Sequence, residues 1–166
     1  MLKTPVIDPS VFVADGAKIV GNVEIGKDCG IWYNVVIRSE HNLVTIGDCT
    51  NVQDNAVLHL DYGFDLTIGK NVTIGHGAIV HGCTVEDNCI IGMGSIVMNE
   101  AVIGTGSIVG AGAVVTEGTI IPPNSVVIGT PGKVVKQCDE KAAELIKLNA
   151  AHYVEIAKQY KEEQNG

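Results

Sequence analysis

An aliphatic residue recurs at every sixth position through most of this chain, and that period restricts the fold more than any other feature. The series consists of Ile7, Val13, Ile19, Ile25, Ile31, Ile37, Ile46, Val52, Leu58, Ile68, Ile74, Val80, Val85, Ile91, Val97, Ile103, Val109, Val115, Ile121 and Val127. A period of six is neither the 3.6 of a helix nor plain strand alternation, but it suits a short strand and a tight corner repeated around a prism. Three hexads would form one triangular coil, and successive coils would stack about 4.8 Å apart with the aliphatic residues inside.

The composition favours strands and tight turns and argues against several kinds of partner. The chain has 166 residues, with 20 glycines, and its 19 acidic against 11 basic residues give a net charge of −8. Such a charge is repelled by a phosphate backbone and by an anionic membrane, so we expect no nucleic-acid partner and no membrane partner. The apolar stretches are too short to span a bilayer, and the first residues lack the apolar core of a signal peptide. We expect one cytoplasmic domain over residues 1–166.

The five cysteines do not form a recognisable framework. They are Cys29, Cys49, Cys83, Cys89 and Cys138, an odd number without a C-x-x-C pair. This pattern argues against disulfides and against a cysteine zinc site. We interpret the cysteines as small buried hydrophobic residues.

The repeat changes its spacing in three places, from Ile37 to Ile46, from Leu58 to Ile68 and from Val80 to Val85. Insertions in such a stack bulge outward at corners, where functional loops collect. The repeat ends after Val127, so we expect the prism to cover about residues 5–135. A helical pattern follows at about residues 139–163, and we expect this helix to pack along the prism wall. Its apolar residues are Leu145, Ile146, Ala150, Tyr153, Val154, Ala157 and Tyr160.

Three polar residues stack in one predicted column. Arg38, His59 and His81 each directly follow an inward aliphatic residue, and three hexads separate each from the next. Alternation along a strand then turns all three outward, with His59 and His81 about 5 Å apart on neighbouring coils. Two imidazoles at that spacing can bind one metal ion.

His76 lies on a different edge of the same coil as His81. Five residues of extended chain span about 16 Å, so the two cannot easily share a metal ion within one chain. A cyclic trimer with parallel axes would bring the His76 edge of one subunit against the His59 and His81 column of the next, giving three sites. Three imidazoles with one open position form a catalytic zinc site, and Fe²⁺, Co²⁺ or Ni²⁺ would also accept these donors.

The sequence around these histidines resembles the γ-class carbonic anhydrase family of hexapeptide-repeat proteins. The matching motifs are Arg38-Ser39-Glu40, Asn51-Val52-Gln53-Asp54-Asn55, Leu58-His59, Ile74-Gly75-His76-Gly77 and Val80-His81-Gly82. The resemblance implies an all-β, left-handed parallel β-helix with a C-terminal α-helix packed along it. It also implies a homotrimer with Zn²⁺ between subunits, bound by His59 and His81 of one subunit and His76 of its neighbour. The implied reaction is reversible hydration of CO₂ to bicarbonate by a metal-bound hydroxide.

The resemblance also assigns roles around the metal. Gln53 would orient the hydroxide, Arg38 and Asp54 would form an ion pair across the trimer interface, and Tyr153 would approach from the helix. Glu40 stands where the family often has aspartate. The archetypal family member has a long acidic loop with a proton-shuttling glutamate, whereas the loop at residues 60–65 is short here. The short loop predicts low activity.

The other acidic and histidine residues near these motifs are assigned no role in the site. We interpret Asp61 and Asp65 as solvated loop carboxylates. His41 and His152 are interpreted as incidental surface residues.

Two other functions stay open at this point. The stretches 109–115 and 122–127 also resemble hexapeptide acetyltransferases, in which a histidine acts as general base on an acyl-CoA substrate. A metal-stabilised trimer without catalysis is the second alternative, and the short loop favours it.

Overall fold

A computed structural model describes residues 2–166 and shows a parallel β-helix followed by one α-helix, which confirms the predicted fold class. The strands in this range are β1 (Val6–Ile7), β2 (Phe12–Val13), β3 (Lys18–Ile25), β4 (Gly30–Ile31), β5 (Val36–Ile46), β6 (Asn51–Val52), β7 (Val57–His59), β8 (Leu66–Ile68), β9 (Thr73–Ile74), β10 (Ile79–His81), β11 (Thr84–Val85), β12 (Ile90–Ile91), β13 (Ile96–Val97), β14 (Val102–Ile103), β15 (Ile108–Val109), β16 (Val114–Val115), β17 (Ile120–Ile121), β18 (Ser125–Ile128) and β19 (Lys133–Gln137). The helix α1 covers Glu140–Asn165.

The strands form three walls of a prism. The first wall contains the starts of β3 and β5 and then β7, β10, β13 and β16, while the second contains β1, the ends of β3 and β5, and β8, β11, β14 and β17. The third wall contains β2, β4, β6, β9, β12, β15 and β18, and β19 closes it as an antiparallel neighbour of β18. Apart from β19, each strand pairs in parallel with the strand one coil away, so equivalent hexad positions lie in register.

The predicted aliphatic series fills the prism. From Ile25 onward its members are buried, whereas Ile7, Val13 and Ile19 in the first coils are only partly buried. Burying each such side chain contributes about 1.5–3 kcal/mol of transfer free energy. The cysteines are all free. Cys29, Cys83 and Cys89 are buried, as interpreted from the sequence, whereas Cys49 and Cys138 are only partly buried.

The three changes of spacing all fall at the corner between the first and second walls. The first insertion continues β5 through the corner, and the second forms the loop at residues 60–65. The two insertions contact each other, because Gly63 N donates to Asn42 Oδ1 (3.0 Å) and Leu43 N donates to Asp65 Oδ1 (3.0 Å). The column of Arg38, His59 and His81 lies directly before this corner.

Helix α1 packs on the third wall, against β2, β4, β6 and β9, as predicted. Asp139 caps it by accepting a hydrogen bond from Ala142 N at 2.8 Å. Ile146, Ala150 and Ala157 are buried against the wall. Leu145 precedes this buried stripe by one position and is 56% exposed.

An aromatic cluster secures the end of the helix nearest the first coils. The ring of Trp32 packs edge-on against Phe12, Tyr153 and Tyr160 at centroid distances of 5.2, 5.8 and 5.3 Å. Lys161 Nζ also donates to the carbonyl oxygen of Val11 at 2.9 Å. Over residues 2–166, no helix combines the length and apolar character needed to cross a membrane.

Candidate metal centre

His59 and His81 face each other on the outside of the first wall. They follow the buried residues Leu58 and Val80, and β7 and β10 pair with His59 directly opposite His81. Their ring centroids are 5.0 Å apart, and His59 Nδ1 lies 2.9 Å from His81 Nε2. This is the neighbouring position that the hexad count predicts.

The imidazole nitrogens of this pair fit a metal ion. His59 Nε2 is buried and has no hydrogen-bond partner among the described residues. A buried polar atom without a partner costs free energy, and a bound cation would remove that cost. Imidazole nitrogens are preferred ligands of Zn²⁺ and of other divalent transition metals, so the donor set suits the implied cofactor.

Arg38 and Glu40 lie beside the histidine pair. Arg38 Nη1 donates to Glu40 Oε1, and Glu40 Oε2 lies 3.5 Å from His59 Nε2. Burial opposes ionisation of Glu40, but the hydrogen bond and charge of Arg38, together with His59, outweigh it and hold the pKa of Glu40 below its ordinary value. The site therefore holds an ionised carboxylate next to a histidine at neutral pH.

His76 lies at the corner between the third and first walls. Its Nδ1 is 2.8 Å from Asp54 Oδ2, and Gly77 N donates to the backbone oxygen of Asp54 at 2.9 Å. Because a carboxylate accepts, His76 Nδ1 donates, and in the neutral imidazole Nε2 then holds the lone pair that a metal ion would use. His76 is exposed, with 46% of its side chain accessible.

Gln53 and Tyr153 line a groove next to His76. The groove has a volume of about 370 Å³ and is lined by the third wall on one side and by Leu145, Asn149 and Tyr153 of α1 on the other. Gln53 is 5% exposed, and its Nε2 donates to Asn51 Oδ1 at 3.2 Å. Burial, with a smaller contribution from the charge of Asp54, raises the pKa of the Tyr153 hydroxyl. Tyr153 therefore remains a neutral hydrogen-bond donor at physiological pH.

One chain thus contains two separate parts of the predicted site. The first part is Arg38, Glu40, His59 and His81, and the second is Gln53, Asp54, His76 and Tyr153. Among the described residues, one group of three potential metal ligands has donor atoms within 4.8 Å of one another. It consists of His59, Asp61 and His81 and does not include His76. Among the described residues of one chain, Arg38 pairs with Glu40 and Asp54 pairs with His76, and no hydrogen bond or ion pair joins Arg38 to Asp54.

The sequence analysis missed two residues of the first part. Asp61 was interpreted as a solvated carboxylate, but its Oδ2 accepts a hydrogen bond from Asn99 Nδ2 at 3.0 Å. Asn99 in turn contacts His81, with its Oδ1 2.7 Å from His81 Nδ1. The hexad count could have placed Asn99 one coil beyond Gly82, but nothing in the sequence indicates that its side chain turns toward His81.

Known proteins resemble this chain in repeat, fold and sequence. Two family models match it, "Bacterial transferase hexapeptide (six repeats)" at residues 82–117 and "Hexapeptide repeat of succinyl-transferase" at residues 65–98. A crystal structure of a hexapeptide transferase family protein from Anaplasma phagocytophilum is 39% identical, with a TM-score of 0.90 over 94% of this chain and 92% of that one.

Two curated relatives have names that indicate a narrower family. The chain is 53% identical to a "Probable carbonic anhydrase" of Methanocaldococcus jannaschii, over 91% of this chain and 95% of that protein. It is 36% identical to the mitochondrial gamma carbonic anhydrase 2 of Arabidopsis thaliana over 93% of its own length, and spans 58% of that longer relative. The chain therefore belongs to the γ-class carbonic anhydrase-like family of hexapeptide-repeat proteins.

Proposed function

We propose that this protein catalyses the reversible hydration of CO₂ to bicarbonate as a cytoplasmic homotrimer with one divalent metal ion at each subunit interface. The observation that carries the proposal is the histidine pair of the first wall, with a nitrogen–nitrogen distance of 2.9 Å and a buried nitrogen that lacks a partner. The carbonic anhydrase names of the relatives support it. Zn²⁺ is the first candidate for the metal, and Fe²⁺, Co²⁺ and Ni²⁺ accept the same donors.

His59 and His81 of one subunit and His76 of the next would hold the ion. When bound, it supplies a nucleophile near neutral pH, because it lowers the pKa of coordinated water to about 7. Gln53 donates its amide hydrogen to Asn51, which leaves its amide oxygen to accept a hydrogen bond from a hydroxyl group in the site. Gln53 can thereby orient the attacking oxygen, and the neutral Tyr153 can donate a hydrogen bond beside it.

The surface of the first wall supports assembly into a trimer. Beside the histidine column, outward-facing aliphatic residues stack in register on five successive strands. They are Val36, Val57, Ile79, Ile96 and Val114. A continuous apolar stripe on a sheet face favours contact with another subunit. A second copy that covers this wall would bring its His76 edge to the histidine pair, and its Asp54 to Arg38.

Turnover in this proposal is limited by proton transfer. The loop at residues 60–65 is short, and Glu40 is the carboxylate recorded beside the unpaired nitrogen of His59, at 3.5 Å. Its lowered pKa makes it a weak base for the proton that metal-bound water must lose in each turnover. We therefore expect a modest rate of CO₂ hydration.

The proposal is tested by metal content, oligomer mass and CO₂ hydration rate on the same preparations. We expect about one metal ion per chain in a trimer, a hydration rate that depends on that metal, and loss of both in the His76→Ala variant. His152→Ala, which changes an exposed histidine of α1, is the control and should behave as the unmodified protein. A metal-loaded protein that hydrates CO₂ no faster than the variant lacking His59, His76 and His81 would contradict the proposed reaction.

Acyl transfer from acyl-CoA is the second candidate function. It is favoured by the transferase description of the family model that matches residues 82–117 and by the Anaplasma structure. Calorimetric titration with acetyl-CoA tests it, and absence of binding would remove it. The third candidate is the non-catalytic trimer. It would be supported by a melting temperature that depends on bound metal in a protein that shows no metal-dependent turnover.

A further inference from the structure

Four side chains at the corner after the first wall form one continuous chain of contacts. Asn99 Nδ2 donates to Asp61 Oδ2 at 3.0 Å, and Asn99 Oδ1 lies 2.7 Å from His81 Nδ1. The other ring nitrogen of His81 lies 2.9 Å from His59 Nδ1. The chain thus leads from an exposed loop carboxylate to the two imidazoles of the candidate metal centre.

The carboxylate determines the direction of every hydrogen bond in this chain. An ionised carboxylate only accepts, so Asn99 must turn its NH₂ group toward Asp61 and its oxygen toward His81. An amide oxygen also only accepts, so His81 carries its proton on Nδ1. His81 Nε2 is then unprotonated, and it can only accept the contact from His59.

The same reasoning extends to His59. Its Nδ1 must donate to His81 Nε2, so in the metal-free protein the lone pair of His81 Nε2 accepts this hydrogen bond. A metal ion at His81 would take the place of the His59 proton on that lone pair. His81 is thus held in the tautomer whose Nε2 carries no hydrogen of its own.

The local backbone is shaped to allow this arrangement. Gly82 has a φ of +50°, and a Cβ atom at this position would collide with Asn99 Oδ1. Gly82 N also donates to the backbone oxygen of His59 at 2.9 Å. A glycine directly after His81 therefore gives the Asn99 side chain room to reach the imidazole.

We propose that Asp61 and Asn99 are positioning residues that fix the tautomer of His81, so that its Nε2 carries the lone pair that a metal ion would use. The proposal rests on the proposed function for the identity of His81 as a metal ligand. Partners that fix the tautomer of a ligating histidine commonly change metal affinity by about 10–100-fold. Neither residue contacts the metal in this proposal.

The tautomers can be measured in the metal-free protein by ¹⁵N NMR of labelled histidine. We expect the Nδ1–H form of His81 in the unmodified protein. Asn99→Leu and Asp61→Leu each remove one link and should produce a mixture of tautomers. The double variant Asp61→Asn with Asn99→Asp exchanges amide and carboxylate, so that residue 99 still accepts from His81, and it should restore the Nδ1–H form.

Zinc affinity, measured by competition with a chromophoric chelator, provides the second readout. We expect it to fall about 10–100-fold in the two leucine variants and to recover in the exchanged pair. Asp65→Leu is the control, since Asp65 is a carboxylate of the same loop that accepts from Leu43 N instead. Trimer mass and melting temperature show whether each variant folds. If Asn99→Leu does not fold, the comparison of Asp61→Leu with the exchanged pair tests the proposal.

Two results would overturn the proposal. The first is an Nε2–H tautomer of His81 in the unmodified protein, and the second is an exchanged pair that binds zinc as weakly as the leucine variants. A protein that shows the expected tautomers and zinc affinities but does not hydrate CO₂ would contradict the proposed function alone. Unchanged tautomers and affinity in both leucine variants, in a protein that does hydrate CO₂, would contradict this inference alone.

Discussion

Gly75 allows the coil that carries His76 to lie directly on the next coil. A Cβ atom at this position would be 2.7 Å from Met93 N and 2.8 Å from Ile91 O. Backbone atoms cannot turn aside as a flexible side chain can, so we expect Gly75→Ala to lower the free energy of unfolding by about 3 kcal/mol. The displaced corner should also weaken metal binding by His76. Urea unfolding and metal content measure the two effects.

The control for this substitution is Gly112→Ala at the same corner two coils away. Gly112 has a φ of +67° and nothing within 4 Å of an added Cβ, so the expected cost is about 1 kcal/mol of backbone strain. If both variants lose the same free energy of unfolding, the close approach of the next coil is not the reason that residue 75 is a glycine.

The thiols provide a second prediction at the scale of single residues. Burial raises the pKa of Cys29, Cys83 and Cys89 to about 12 each. Since the thiolate is the reactive form, these three should not react with a thiol reagent at pH 8 until the protein unfolds. Cys49 and Cys138 are partly exposed, and burial raises their pKa as well, so they should react slowly and faster as pH rises.

Counting the reactive thiols before and after denaturation tests this prediction. We expect two in the folded protein and all five in denaturant. Rapid reaction of a third thiol in the folded protein would show that the prism opens locally around one of the buried cysteines.

Helix α1 depends on one narrow apolar stripe for its position on the third wall. Ile146 is 1% exposed, so Ile146→Ala should cost about 3 kcal/mol of unfolding free energy through lost burial and a residual cavity. Leu148, two positions later, is 59% exposed, and Leu148→Ala should change stability by less than about 0.5 kcal/mol. Thermal unfolding followed by circular dichroism compares the pair. Similar losses would show that the helix packs on a different face.

The elements differ in how far the sequence predicts them. Strand positions, register and the adjacency of His59 and His81 follow from the period of six, because each hexad occupies one wall and the coils stack in register. The exposure of Leu145 did not follow, since helix orientation depends on the shape of the wall beneath it. The contact of Asn99 with His81 did not follow either, because it joins two coils across a corner whose side-chain rotamers the repeat does not determine.

At the scale of the whole molecule, we predict that the metal centre forms only when the trimer forms. Ile79 lies in the middle of the outward-facing apolar stripe of the first wall, between Val57 and Ile96, and precedes His81 by two residues. In the proposed trimer this stripe is covered by the neighbouring subunit. Ile79→Arg would place an unpaired charge in that contact, at a cost of several kcal/mol. The variant should therefore dissociate to single chains of 17.4 kDa.

Metal content connects this dissociation to the site. A separated chain retains His59 and His81 but loses the His76 of its neighbour, so bound zinc should fall together with the trimer, although no metal ligand has been changed. Ile120→Arg is the matched control, because Ile120 is an outward-facing isoleucine of the second wall that is already 73% exposed. Sedimentation equilibrium and zinc analysis of both variants test the argument. A monomeric Ile79→Arg variant with full zinc content would mean that one chain completes the metal site itself, with Asp61 as the third ligand that lies within 4.8 Å of the histidines.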